Sequence, residues 1–377
     1  MGVSISNIET VLSSLDPIGI YEKMAENVLG TMAFPFCAVP NFTINQKDYI
    51  LTYCTWENSV VAAASKAAKV IRKYGGFEAH SDDSIMIGQI ILSKVANHVR
   101  LESIIKQCKQ ELIHIANQAK PRMSERGGGV IDIQCAYDDK NPFFVVEIHV
   151  NVLDAMGANI VDQYAEVLKP VIEKKLVQND LKKKGQKEDY RILMAILTNY
   201  AKKRMARASF KVPIKELQTK GFMGREFVER VVEANQFARS NSMRACTDIK
   251  GFMNGASAVC MATGNDVQAL EAGVYAHSAE MGSITVSRFH IINGYFEGSA
   301  KIPVAVGIKG NITRAHPMVK LALEIMDIHS ANELAQVIVC AGLANNIAAL
   351  GALTTEGIER GHRDCRKELV EYIKSIK

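Results

Sequence analysis

The sequence predicts an α+β protein in which a small mixed module is inserted into a larger helix-and-sheet domain. The first sign is a strict alternation. Phe144, Val146, Ile148, Val150 and Val152 interleave with Val145, Glu147, His149 and Asn151, the period of two expected of a strand with one buried face. The second is a change of period. Met156, Ile160, Val161, Tyr164 and Leu168 recur every three to four residues, as on a helix that Pro170 would end. The third is that residues 1–80 hold no complete core, so they must pack with residues 205–355 and leave the middle of the chain separate.

Taken in order, Val60, Val61, Ala64, Ala67, Ala68 and Ile71 give a small-residue helix over 59–74, stopped by Gly75-Gly76. A strand at 84–92 and a long helix at 101–119, closed by Pro121, come next. Gly127-Gly128-Gly129 leads into a strand at 130–136, and Asp138-Asp139-Lys140-Asn141-Pro142 turns the chain into the alternating strand. This hairpin between two helices defines a module over 81–204, with 1–80 and 205–355 as the two parts of the large domain and 356–377 as a short C-terminal helical segment. Strands are expected at 208–212, 283–287 and 289–296, and helices at 226–239 and 267–276. Residues 256–263 suit a buried helix or strand, and 331–350 an alanine-rich buried helix.

A chain of 377 residues has room for two domains with well-buried cores. Its net charge of +5 includes the runs Lys182, Lys183, Lys184, Lys187 and Lys202, Lys203, Arg204, Arg207, which read as solvated faces. Only Tyr190 and Tyr200 lie near them, too few aromatic rings for stacking on nucleic acid, though an anionic small molecule suits such charge. Eight cysteines are scattered without a C-x-x-C pair or a histidine grouping at metal spacing, which argues against a zinc site or disulfide framework and for reduced cytosolic thiols. The N-terminus lacks the basic and apolar regions of a secretory signal, and Met1-Gly2-Val3-Ser4-Ile5-Ser6 matches a loose myristoylation pattern that nothing else supports. Apolar stretches such as 255–263 are too short to span a bilayer, so the expectation is a cytoplasmic protein with neither membrane nor nucleic acid as partner.

Asn151 to Asn159 joins strand to helix through small residues, where an α/β protein would hold a cofactor phosphate; Asp154 is the expected N-cap, and Gly157 would let a ligand approach the first-turn amides. A capped junction with nothing bound fits the same residues. Four polar clusters stand in small-residue surroundings, each with an ordinary alternative. Glu57 precedes a helix whose dipole it would complement, and Arg244 and Lys250 could simply face solvent. Asp266 could be an N-cap and His362 a surface histidine. Together they supply an acid, an ammonium with a possible carboxylate partner and an imidazole, which suits polarising a carbonyl and moving protons beside a bound hydride donor.

Six blocks, in order, carry a resemblance: Glu57-Asn58-Ser59-Val60-Val61-Ala62-Ala63-Ala64-Ser65, Met86-Ile87-Gly88-Gln89, Asp154-Ala155-Met156-Gly157-Ala158-Asn159, Lys250-Gly251-Phe252-Met253-Asn254-Gly255, Ala262-Thr263-Gly264-Asn265-Asp266 and Glu356-Gly357-Ile358-Glu359-Arg360-Gly361-His362. They resemble the signature blocks of class II hydroxymethylglutaryl-coenzyme A reductases. The resemblance implies interconversion of hydroxymethylglutaryl-CoA with mevalonate and coenzyme A, using two hydride transfers from NADH or NADPH and no metal. It implies that Lys250 donates to the thioester oxygen, Asp266 holds that ammonium, Glu57 protonates the mevaldehyde carbonyl and His362 protonates the departing thiolate. Ser59, Arg244 and Asn254 would bind the hydroxymethylglutaryl end, and Asn199 would lie near substrate and nicotinamide. Asp154, Met156, Gly157, Ala158 and Asn159 would contact the dinucleotide in a small domain that is not of Rossmann type.

The resemblance also implies a homodimer, or a dimer-based oligomer, with the active site between subunits. It departs from the family in two places. Only Arg363 to Lys377 follow the histidine where a longer flap is usual, and Lys202-Lys203-Arg204 lies near where class I enzymes place their lysine; Lys250 stays the candidate because its block is of class II type. Asp132, after the glycine run, inclines the cofactor expectation slightly to NADH, with Arg126 pulling the other way. A reductase for a different acyl-CoA, or a non-catalytic acyl-CoA or dinucleotide-binding homologue, would share the same blocks.

Overall fold

Asn45 and Gln46 both adopt left-handed conformations, φ 50° and 68°, and this two-residue turn folds β1 (Phe36–Ile44) back onto β2 (Lys47–Cys54). The computed structural model describes residues 21–29, 31–57, 59–138, 141–179, 190–217, 223–282, 285–358, 371 and 374–375. The chain divides into a unit of Met1–Ser81 with Met205–Lys377 and a unit of Asp82–Arg204. Its open antiparallel sheets and packed helices make the α+β architecture that the sequence predicts.

In the first unit, α1 (Val60–Arg72) buries Val60, Ala64, Ala68 and Ile71, an i, i+4, i+8, i+11 stripe that packs on β1. The main sheet has the order β3-β8-β10-β9, from β3 (Glu78–Ser81), β8 (Met205–Pro213), β9 (Ser287–Ile292) and β10 (Tyr295–Pro303). The single strand expected at 289–296 is broken, because Asn293 and Gly294 take φ 48° and 80° and turn β9 into β10. Residues 256–263 continue α6 (Ser242–Ala262), which follows α5 (Gly224–Ser240) and precedes α7 (Val267–Glu280).

At the centre lies α10 (Ala331–Leu353), with 15 residues buried around its whole circumference. Among the described residues it is the one helix long and apolar enough to cross a membrane, longer than any stretch the sequence reading credited. Its apolarity has another cause, since 78% of its most apolar window is buried inside the protein. It crosses α6 at closest approach through two glycines. A Cβ on Gly255 would lie 2.3 Å from the Ala341 carbonyl oxygen, and one on Gly342 2.4 Å from the Phe252 ring.

In the second unit, β4 (Ile85–Ser93), β5 (Gly129–Tyr137), β6 (Phe144–Asn151) and β7 (Arg191–Leu197) form a sheet of order β5-β6-β4-β7. One face is covered by α2 (His98–Ala119) and α4 (Ala158–Gln178), with the short α3 (Pro121–Ser124) between α2 and β5. Pro170 does not end α4, which runs on to Gln178 with Leu168, Ile172 and Leu176 buried. The continuing apolar stripe outweighs the hydrogen bond that the proline removes.

Candidate active site

Glu57 lies on the short connection from β2 to α1, and Lys250 on α6, 193 positions away in sequence. The fold brings them into contact: Lys250 Nζ donates to Glu57 Oε1 at 2.6 Å. The side chains remain 56% and 41% exposed, so an incoming carbonyl can reach both. Two consecutive amides in the core hold their supports. Asn345 Oδ1 accepts from Tyr53 Oη (2.9 Å) and Asn345 Nδ2 donates to the Val60 carbonyl (3.0 Å), bracketing Glu57 on both sides. Asn346 Nδ2 donates to the Asp248 carbonyl (3.1 Å), two residues before Lys250. Both asparagines are nearly fully buried, where an amide without a partner would be costly. The sequence reading passed over them inside an apolar helix.

Ser59 has φ 67°, and its side chain makes no capping bond to α1. Asn254 lies one helical turn after Lys250 on the same face of α6 and is partly buried. Arg244 reaches toward Asp248, with Nη2 3.8 Å from Oδ1 and that carboxylate wholly buried. Burial pushes the Asp248 carboxyl up, opposed by the Asn346 amide and the Arg244 guanidinium. The folded state thus binds this proton more tightly than the unfolded chain. Its contribution to stability is present at low pH and lost as pH rises through the raised value. Asp248→Asn should therefore gain stability relative to the parent as pH rises above the ordinary carboxylate range, read by calorimetric melting. A difference that does not vary with pH would sink that expectation.

Asp266 is exposed, and its Oδ1 caps α7 by accepting from the Ala269 amide at 2.9 Å. No ion pair joins it to Lys250 among the described residues; within one chain Glu57 holds that ammonium. Its loop is stiff, because Asn265 exchanges two bonds with Gly307, at 3.1 and 2.7 Å. His362 lies outside the described residues. Among the described residues no three His, Cys, Asp or Glu side chains group as metal ligands would.

In the second unit the cap of α4 is Gly157 rather than Asp154. Its φ of 104° is closed to L side chains, and a Cβ there would meet Val152 at 2.6 Å. Residue type suggested the aspartate, but backbone geometry decides. The amides of Ala158, Asn159 and Ile160 precede the first intrahelical bond, Val161 to Gly157 at 3.0 Å, and form an anion-ready helix start. Met156 and Ala155 are held from behind: Arg204 Nη1 donates to both carbonyls, at 3.1 and 3.2 Å.

Arg204 is therefore not part of a solvated face, as its basic run suggested, but 3% exposed. Burial lowers its pKa to about 10, with Asp154 opposing. Arg204→Met, which keeps bulk and loses both bonds, should raise the KM for the nicotinamide cofactor expected at this turn about tenfold and leave kcat within about twofold. Unchanged saturation kinetics would remove that role. Asn199 is exposed in the turn after β7. Asp132 is already engaged, in an ion pair with Lys109 and in bonds from the Gln134 amide (2.8 Å) and the Ile133 backbone (2.9 Å). Partial burial pushes its carboxyl up, but these donors outweigh it and hold it below the usual range. A carboxylate so neutralised is a poor ribose partner, and the inclination to NADH loses its basis.

An acid and an ammonium in contact, open to a substrate, with a separate glycine-capped helix start, are the equipment of a carbonyl-reducing oxidoreductase. The chain belongs to the hydroxymethylglutaryl-coenzyme A reductase family, whose sequence model matches residues 3–367. It is 38% identical over 367 residues to the 3-hydroxy-3-methylglutaryl-coenzyme A reductase of Archaeoglobus fulgidus, covering 96% of this chain and 80% of the relative. The probable reductase of Borreliella burgdorferi is 29% identical, covering 90% and 75%. Among solved structures, the class II reductase of Streptococcus pneumoniae bound to NADPH matches with a TM-score of 0.86 at 36% identity, covering 94% of each chain.

Proposed function

We infer that this chain reduces hydroxymethylglutaryl-CoA to mevalonate, consuming two NAD(P)H and two protons and releasing coenzyme A. The observation that carries the reading is the 2.6 Å contact between Lys250 and Glu57, supported by membership of the family. The nicotinamide supplies hydride when bound. Lys250 offers its ammonium to the thioester oxygen as negative charge grows there, and Glu57 gives a proton to the aldehyde oxygen in the second reduction. His362 protonates the coenzyme A thiolate, and Asp266 adds its carboxylate near the ammonium. Ser59, Asn254 and Arg244 hold the hydroxymethylglutaryl end, Arg244 through the free carboxylate. Asn199 serves beside substrate and nicotinamide, and the Asp154 to Asn159 turn binds the dinucleotide.

A groove of about 590 Å³ runs from Ala63, Lys66 and Ala67 on α1 to Ala348, Gly351 and Ala352 on α10. It leaves the same end of α10 that holds Glu57 and Lys250, and its apolar walls with Lys66 suit a pantetheine arm. The half-exposed pair and the separate Asp266 fit a cytoplasmic homodimer whose second subunit completes each site. Purified protein given hydroxymethylglutaryl-CoA should oxidise NADH or NADPH at 340 nm with two equivalents per mevalonate. Binding of the thioester without turnover by either nucleotide would favour the non-catalytic alternative, and turnover of another thioester alone would reassign the substrate.

A further inference from the structure

The main sheet carries a second, basic cavity of about 690 Å³ near the opposite end of α10. On β8 the side chains of Ala206, Ala208, Phe210 and Val212 face the core, so Arg207, Ser209 and Lys211 point from the other side. The strand register places His80 opposite Arg207 and Arg207 opposite Lys301, a row of basic residues across β3, β8 and β10. The next row on that face reads Glu78, Ser209, Ser299, Arg288. His277 from α7 joins the lining, and Glu78 is its single acidic member.

Like charges directly opposite one another in a sheet repel. One row further on, Lys211 pairs with Glu297 at 3.0 Å. Lys301 and Arg288 have no ion pair among the described residues, and burial, then Lys301, lowers the pKa of His277 against the opposing carboxylate of Glu280. Neighbouring strands lie about 5 Å apart and successive residues on one face about 7 Å, so the backbone sets these cations out on a grid of that size. Between them, Ser209 and Ser299 supply hydroxyl donors. That spacing suits a diphosphate, and Met281 and Val286 add apolar wall for a small organic body. We propose that this cavity is an anion site for a diphosphate-bearing small molecule, distinct from the Lys250 site.

Inorganic pyrophosphate is the probe, titrated by calorimetry into the full chain saturated with coenzyme A and NADPH. One equivalent should still bind, and the double variant Arg288→Gln, Lys301→Gln should weaken it at least tenfold while melting and the KM for NADPH stay unchanged. Equal displacement by matched ionic strength of chloride would reduce the site to charge screening and overturn the proposal. So would loss of binding when both nucleotides are present, since that places the ligand in the active site, or binding indifferent to the double variant. None of these outcomes depends on whether the chain turns over hydroxymethylglutaryl-CoA.

Discussion

Lys250→Ala should lower kcat by roughly 10²–10³-fold, the loss typical of removing one donor to a developing oxyanion. In the proposed mechanism the amine meets charge that exists only on the way to the hemithioacetal, so the thioester KM should change far less than kcat. Folding should be almost untouched. The Lys250–Glu57 pair is half exposed, and such pairs contribute about 1 kcal/mol or less. Steady-state kinetics beside a melting curve separates the two effects, and a variant as active as the parent would end the assignment of this lysine. Lys250→Arg keeps the charge but not its compact shape and should recover little.

Gly342→Ala should be strongly destabilising, as Gly255→Ala should be on the other side of the same α6–α10 crossing, where the added carbon would meet backbone. A Cβ on Gly342 would stand 2.4 and 2.5 Å from two carbons of the Phe252 ring, and that ring is fully buried with no room to turn. Overpacking of this kind costs on the order of 3 kcal/mol, a fall of roughly 6–12 °C in melting temperature for a unit of this size. Gly310→Ala is the control, because its nearest neighbour is Thr313 Oγ1 at 3.7 Å. If both variants melt alike, the close crossing is not what fixes the core. Gly342→Ala should also lower activity, since the same crossing sets the separation between α6 and Asn345.

Periodicity made the inner unit legible, because β6 shows one buried face and α4 a long apolar stripe. The β1–β2 hairpin escaped for local reasons. Its turn is Asn45-Gln46 rather than a glycine pair, and β1 carries an irregularity between Val39 and Phe42 that interrupts the alternation. The α4 cap was misread because an aspartate in the right place is a weaker determinant than a backbone that only glycine accepts. Glu57 and Lys250 share no periodicity, and only ordered family blocks suggested that they belong together. Asn345 and Asn346 left one readable signal, two adjacent amides within an otherwise apolar helix, where burial demands partners.

Those two amides tether the backbone three residues after Glu57 and two residues before Lys250 to neighbouring rungs of a single beam. If that beam slides or tilts as a substrate enters, Glu57 and Lys250 should travel together and keep their spacing.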